Sequence, residues 1–132
     1  MNRENEDVVR RYLAVFVSRD LDELAQVMAE DVEVYGAARH LRGRDVPAAA
    51  IMTPGLRVVE QRIVEMFSAG DRVSVVVENT YEQVRTGARA VQSGCKIYEV
   101  HDGRITRFWG EADTWGLLVG LGIVPRTELD FT

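Results

Sequence analysis

Apolar residues at Val8, Val9, Tyr12, Leu13, Val15 and Phe16, separated by charged ones, recur at helical spacing and predict an amphipathic helix over 4–18. "SRDLDEL" interrupts the pattern and restarts it. Asp20 stands where a cap belongs, and Glu23 three residues later completes a capping box. The second helix, 21–29, presents Leu21, Leu24, Val27 and Met28 to a core. "DVEVYG" (31–36) alternates and reads as a short strand, and "RHLRGRDVP" reads as a loop. Asp45 is placed to cap a short helix over 46–52 with Pro47 in its first turn, and "TPG" stops it.

The period then changes. Residues 56–70 form a strand whose irregular alternation predicts a bulge. "GDR" (70–72) is a tight turn, and "VSVVVENTYEQV" (73–84) is rich in β-branched residues, a strong strand signal. "RTGAR" is a turn, 90–100 a strand, "HDGR" (101–104) a hairpin turn with Asp-Gly at its centre, and 105–112 the last strand. "DTWGLLVGLG" (113–122) reads as a short helix or turn ending in glycine. Helices followed by hairpin-linked strands give an α+β fold in one domain over 1–132: N-terminal helices packed on a strongly curved antiparallel or mixed sheet, a cone with an apolar pocket.

Composition narrows the function classes. The chain has 132 residues, 46% hydrophobic and 28% charged, enough for one core. A net charge of −5 argues against nucleic acid and anionic membranes as partners. No segment approaches the roughly 20 apolar residues of a membrane span, and the N-terminus carries no apolar run of signal-peptide length. Cys95 is the only cysteine, which precludes an internal disulfide and fits a cytoplasmic location; the expectation is a small buried strand residue. His40 and His101 lack metal-ligand spacing, so no metal is expected, and "GLLVGLG" lacks the setting of a dinucleotide loop.

Four segments carry a family resemblance: "RRYLAVFVSRDLDELAQVMAEDVEV" (10–34), "LRGRD" (41–45), "AGDRVSVVVEN" (69–79) and "YEVHDGRITRFWGEADTWGLLVGLG" (98–122). With them the chain resembles the SnoaL-like polyketide cyclases of the nuclear transport factor two-like superfamily. The resemblance implies the cone fold, no cofactor, and a homodimer paired through exposed sheet. Among relatives, the ketosteroid isomerases share the helix tyrosine matched by Tyr12; their general base falls near Gly36 and their second oxyanion donor near Lys96. The Asp-Arg-Asp set of limonene-type epoxide hydrolases falls on Asn79, Val77 and Glu111. The strand-end aspartate of the cyclases is matched by Asp113 or Glu111.

Residues two apart in a strand share a face, so Trp109, Glu111 and Asp113 are expected to point together if the strand extends that far. Two carboxylates roughly 6–7 Å apart in an apolar setting can hold different protonation states. The competing reading has Asp113 capping "TWGLL" and Glu111 in solvent. Val77, Asn79 and Tyr81 form a second face, where a buried amide needs a partner. Tyr12 reads equally as core or as a phenol that polarises a carbonyl. Tyr35 closes the first strand, and His40 precedes "RGRD" at what the resemblance makes a pocket border. Gln92 and Lys96 share a face that the resemblance turns toward the cavity; His101 lies in a turn.

These readings give a cofactor-free acid/base enzyme for a hydrophobic, carbonyl-bearing substrate, a polyketide cyclase or an isomerase. Glu111, Asp113, Asn79 and Tyr12 would do the chemistry, and Tyr35, His40, Val77, Tyr81, Gln92 and Trp109 would line the pocket. The alternatives are a limonene-type epoxide hydrolase with an altered catalytic set and a non-catalytic binding or dimerisation module.

Overall fold

The computed structural model describes residues 2–126 and 132. The elements are α1 (Arg3–Ser18), α2 (Leu21–Val27), β1 (Met28–Gly36), β2 (Arg39–Arg42), α3 (Asp45–Ile51), β3 (Leu56–Ala69), β4 (Arg72–Gln83), β5 (Arg89–His101), β6 (Arg104–Ala112) and α4 (Thr114–Gly120). The strands form one mixed sheet in the order β2-β1-β6-β5-β4-β3. β1 runs parallel to β6, and every other neighbouring pair is antiparallel. The expected α+β architecture is therefore present, with helices packed against a sheet that stays open.

α1 starts where the Asn2 side chain accepts the Asn5 N–H and stops at Arg19, whose φ of 58° leaves the helical region. Its apolar stripe, including Val9, Tyr12, Leu13 and Val15, is buried on one face of the sheet, the inner face. Rings interlock there: Tyr12 lies edge-on to Phe16 and to Tyr98, each at 5.6 Å, and Tyr98 lies 5.4 Å from Phe108. Each large apolar side chain buried this way contributes about 1.5–3 kcal/mol. Asp20 caps α2 as expected, accepting from the N–H groups of Asp22 and Glu23. The expected capping box does not form, because Glu23 accepts from Arg11 Nε and the Asp20 N–H donates to Ser18 Oγ; Leu21, expected in the core, is exposed. β3 slips register against β4 twice, between Val58 and Glu60 and between Ile63 and Glu65, which accounts for its broken alternation.

Four local expectations need correction. The second helix ends at Val27, because Met28 already belongs to β1. Residues 39–42 are an edge strand rather than loop, joined to β1 by a turn through Ala37 and Ala38 at φ 50° and 59°. That turn demands positive φ twice and meets it without the usual Gly or Asn, so the sequence carries no hairpin signal. Asp45 is the first residue of α3 and not its cap; Arg44 holds the cap position with no side-chain cap bond. Cys95 is exposed, since it pairs with Glu111 on the face away from α1.

Candidate functional site

Strand register sorts the candidate residues onto two faces. Val75 pairs with Lys96 and Asn79 with Gln92; Lys96 in turn pairs with Gly110 and Tyr98 with Phe108. These positions share the inner face with the buried Val73, Val75 and Val77 of β4. Ile97 pairs with Trp109 and Cys95 with Glu111, so Trp109 and Glu111 point to the outer face. The sheet thus separates Glu111 and Trp109 from Tyr12, Val77, Asn79 and Tyr81. This corrects the expectation that Trp109, Glu111 and Asp113 project together into the cone.

Asp113 lies beyond the strand end. It is exposed and caps α4, accepting the Gly116 N–H at 2.8 Å. Glu111 is exposed as well, and it stands at the rim shared by hollows on both faces. On the outer side Trp109 stacks on Tyr35 at 5.4 Å, and Tyr35 on His40 at 4.3 Å. The guanidinium carbons of Arg72 and Arg107 sit 5.2 and 5.1 Å from the Trp109 ring. Tyr35, His40 and Trp109, expected to line the substrate pocket, form instead an outward stack of rings. Beside it Phe67, Val76 and Ile97 wall an apolar hollow of about 350 Å³.

Besides the buried Glu6, which accepts from the Ser68 hydroxyl near the start of α1, two polar groups of the inner face bear on the site. In the first, Gln61 Nε2 donates to Asn79 Oδ1 at 3.0 Å and to the Leu13 carbonyl at 2.8 Å, so the buried amide expected at Asn79 is satisfied. Tyr81 is half-buried beside it; burial raises its phenol, while the Asn79 amide pulls the other way. Burial raises the Tyr12 and Tyr98 phenols strongly, so both stay protonated at any physiological pH. Among the described residues the Tyr98 hydroxyl has no hydrogen-bond partner. Tyr12 is 1% exposed and Val77 2%, which places both in the packed core.

The second group lies where the sheet opens beneath α4. A hollow of about 290 Å³ is lined by Val34, Leu41, Phe108, Ala112, Thr114 and Lys96, among others. The Gln92 amide donates to the Thr114 hydroxyl at 3.2 Å, tying β5 to the start of α4. Lys96 Nζ stands 5.4 Å from the Phe16 ring centroid. Among the described residues it has no carboxylate within ion-pair distance, and burial lowers its pKa. The signal for Lys96 was in the composition: of the 16 lysines and arginines, it is the only lysine. Gln61 gave no such signal, because the register slips of β3 hide which face it takes.

Acidic groups cluster elsewhere. Asp71, Glu99 and His101 bring ligand-type atoms within 4.8 Å of one another at the far end of β5. Glu99 is already engaged, accepting from Arg107 at 2.7 and 2.9 Å and contacting His101 at 2.9 Å.

Helices over an open, curved, six-stranded sheet with a parallel β1–β6 pair agree with the comparison of sequences, in which the model of the SnoaL-like domain matches residues 9–108. The chain belongs to the SnoaL-like domain family. No match is found among curated protein sequences. Solved structures similar to this SnoaL-like chain include an LEH-like epoxide hydrolase of M. tuberculosis, at 21% identity and TM-score 0.75 over 92% of this chain and 91% of that one. IdmH of Streptomyces antibioticus, provisionally assigned as a polyketide cyclase, is 20% identical with TM-score 0.74 over 89% and 98%. A Catenulispora acidiphila protein with a ketosteroid isomerase-like fold is 15% identical with TM-score 0.73 over 87% and 92%. At these identities the likeness establishes the shared fold.

Proposed function

We propose that this SnoaL-like protein is a cofactor-free enzyme that moves a proton on a hydrophobic, carbonyl-bearing small molecule, in the manner of a cyclase or isomerase. One observation carries the reading: Lys96 lies against Val34, Leu41 and Phe108 in a mouth that Glu111 and Arg39 also line, and its amine forms no ion pair among the described residues. The inner-face partners around it, Val75, Gly94, Tyr98, Phe108 and Gly110, offer no side chain that titrates near neutrality. An amine whose basicity is lowered by burial can take a proton from carbon beside a carbonyl. The ammonium so formed then stabilises the enolate oxygen in a setting with little competing water. Family kinship with cyclase-like and isomerase-like folds supports this class of chemistry.

Exchange of protons for deuterium beside the carbonyl of an apolar ketone, followed by proton NMR, tests the reading. The wild type should accelerate exchange, Lys96→Met should abolish the acceleration, and Glu111→Gln should leave it within about twofold, since Glu111 stands at the solvent rim. Acceleration that survives in Lys96→Met overturns the assignment.

The apolar outer hollow supports a second element of the reading, a homodimer. Phe67 and Ile97 are 61% and 42% exposed there, in a continuous apolar surface of the kind that marks association. A second copy of the same face is the occupant we propose.

A further inference from the structure

We propose that Lys96 Nζ is a nucleophile that condenses with an aldehyde or ketone entering the mouth beneath α4, forming an imine. The amine lone pair forms a C–N bond to the carbonyl carbon, giving a carbinolamine. The carbonyl oxygen then leaves as water carrying both protons of the amine, one transferred on addition and the other relayed through a hydroxyl donor that the nitrogen re-protonates, which leaves the neutral imine. The inference rests on the reading that the mouth binds carbonyl compounds, and it adds a covalent state that competes with the noncovalent proton transfer, since one nitrogen serves only one of the two at a time.

Residue choice is the first support. The chain uses arginine at all of its other strongly basic positions. Where only a positive charge is wanted, guanidinium serves, but it does not lose its proton in proteins and cannot attack a carbonyl. Lysine at this one site supplies what arginine cannot.

Geometry is the second. The carbon stem of Lys96 runs over two glycines on neighbouring inner-face positions. A Cβ on Gly110 would lie 3.6 Å from Lys96 Cδ, and one on Gly94 would lie 3.6 Å from Lys96 Cε. Their bare backbone gives the stem a flat bed and keeps the amine on the inner side. No carboxylate among the described residues holds the amine in its charged form. Apolar walls from Val34 and Phe108 favour the free amine, while Glu111 and Arg39 stand at the edge of the same mouth. The Thr114 hydroxyl lines the same mouth and is oriented by Gln92. It is the O–H we assign to relay the proton to the departing carbinolamine oxygen.

Reductive trapping provides the test. The full chain is incubated with 3-phenylpropanal and cyanoborohydride, and alkylation is located by peptide mapping. Burial raises the free-amine fraction of Lys96 near neutrality, and the mouth concentrates the aldehyde beside it. Lys96 should be alkylated several-fold faster than N-acetyl-lysine amide, a free model amine, with its rate rising at a lower pH. Added 3-phenylpropanol should protect it, and Lys96→Arg should show no alkylation at that position. Alkylation no faster than the model amine overturns the imine. Binding of 3-phenylpropanol is followed separately by amide NMR shifts at Phe108 and Ala112. Shifts without fast trapping overturn the imine and leave the binding reading standing; absent shifts overturn both.

Discussion

Gln61 joins α1 to β4: a single amide nitrogen reaches Leu13 O at 2.8 Å and Asn79 Oδ1 at 3.0 Å. This bridge crosses the layer between helix and sheet. Removing one end leaves a buried polar group without its bond. Asn79→Ala should therefore destabilise the fold by about 1–3 kcal/mol. The midpoint of urea unfolding checks it, and Gln61→Ala should cost a comparable amount while Asn79→Ala adds little on top, because the two share one interaction.

The close approach of β1 to β6 gives a second expectation. A Cβ at Gly36 would collide with the Gly110 carbonyl oxygen, a backbone atom held in the ladder. Gly36→Ala should destabilise by about 1–3 kcal/mol through forced separation of the strands. Thermal unfolding monitored by circular dichroism would show the loss.

Glu99 makes stability depend on pH. Bonds from His101 and then Arg107 hold its carboxyl below the usual carboxylate range. With the folded value depressed, its stabilisation is present above the ordinary carboxylate pKa and fades as pH falls through the folded value. Glu99→Gln should thus lower the unfolding temperature at neutral pH, and the gap from wild type should close on acidification below the ordinary carboxylate range. A gap that stays constant would contradict the ion-pair account.

Asp113 separates capping from chemistry. Asp113→Ala should cost about 1 kcal/mol by freeing the Gly116 N–H at the start of α4. Asp113→Asn keeps an oxygen acceptor, so it should retain most of the stability and all of the deuterium-exchange activity. Loss of exchange in Asp113→Asn would return an acid/base role to this residue.

Association is tested at Ile97. Replacing it with glutamate places a charge in the outer apolar hollow without touching the inner face. Light scattering after size exclusion should give twice the chain mass for wild type and the single-chain mass for Ile97→Glu. A wild type of single-chain mass would dismiss the homodimer.

The elements were legible where one period dominates. Val8 to Phe16 repeats at helical spacing, and Val73 to Val77 alternates with Ser74 and Val76 between two hairpin turns. The α+β class followed from their order. The facing of β6 was not legible, because Phe108 and Trp109 are adjacent and both large and apolar. Only register against β5 puts Phe108 with Tyr98 on the inside and Trp109 with Ile97 on the outside. That one choice of parity removed Glu111 from the cone. β2 was hidden for a different reason: two alanines at positive φ make its turn, and alanine advertises no such conformation.

The division of β5 by alternate residues has a practical meaning for redesign. Gln92, Lys96 and Tyr98 furnish one compartment, while Ser93, Cys95 and Ile97 furnish the opposite surface. Odd-numbered codons in that stretch can be randomised to reprogram self-association while Gly94, Lys96 and Tyr98 are held fixed, so the outer surface is altered without disturbing the core.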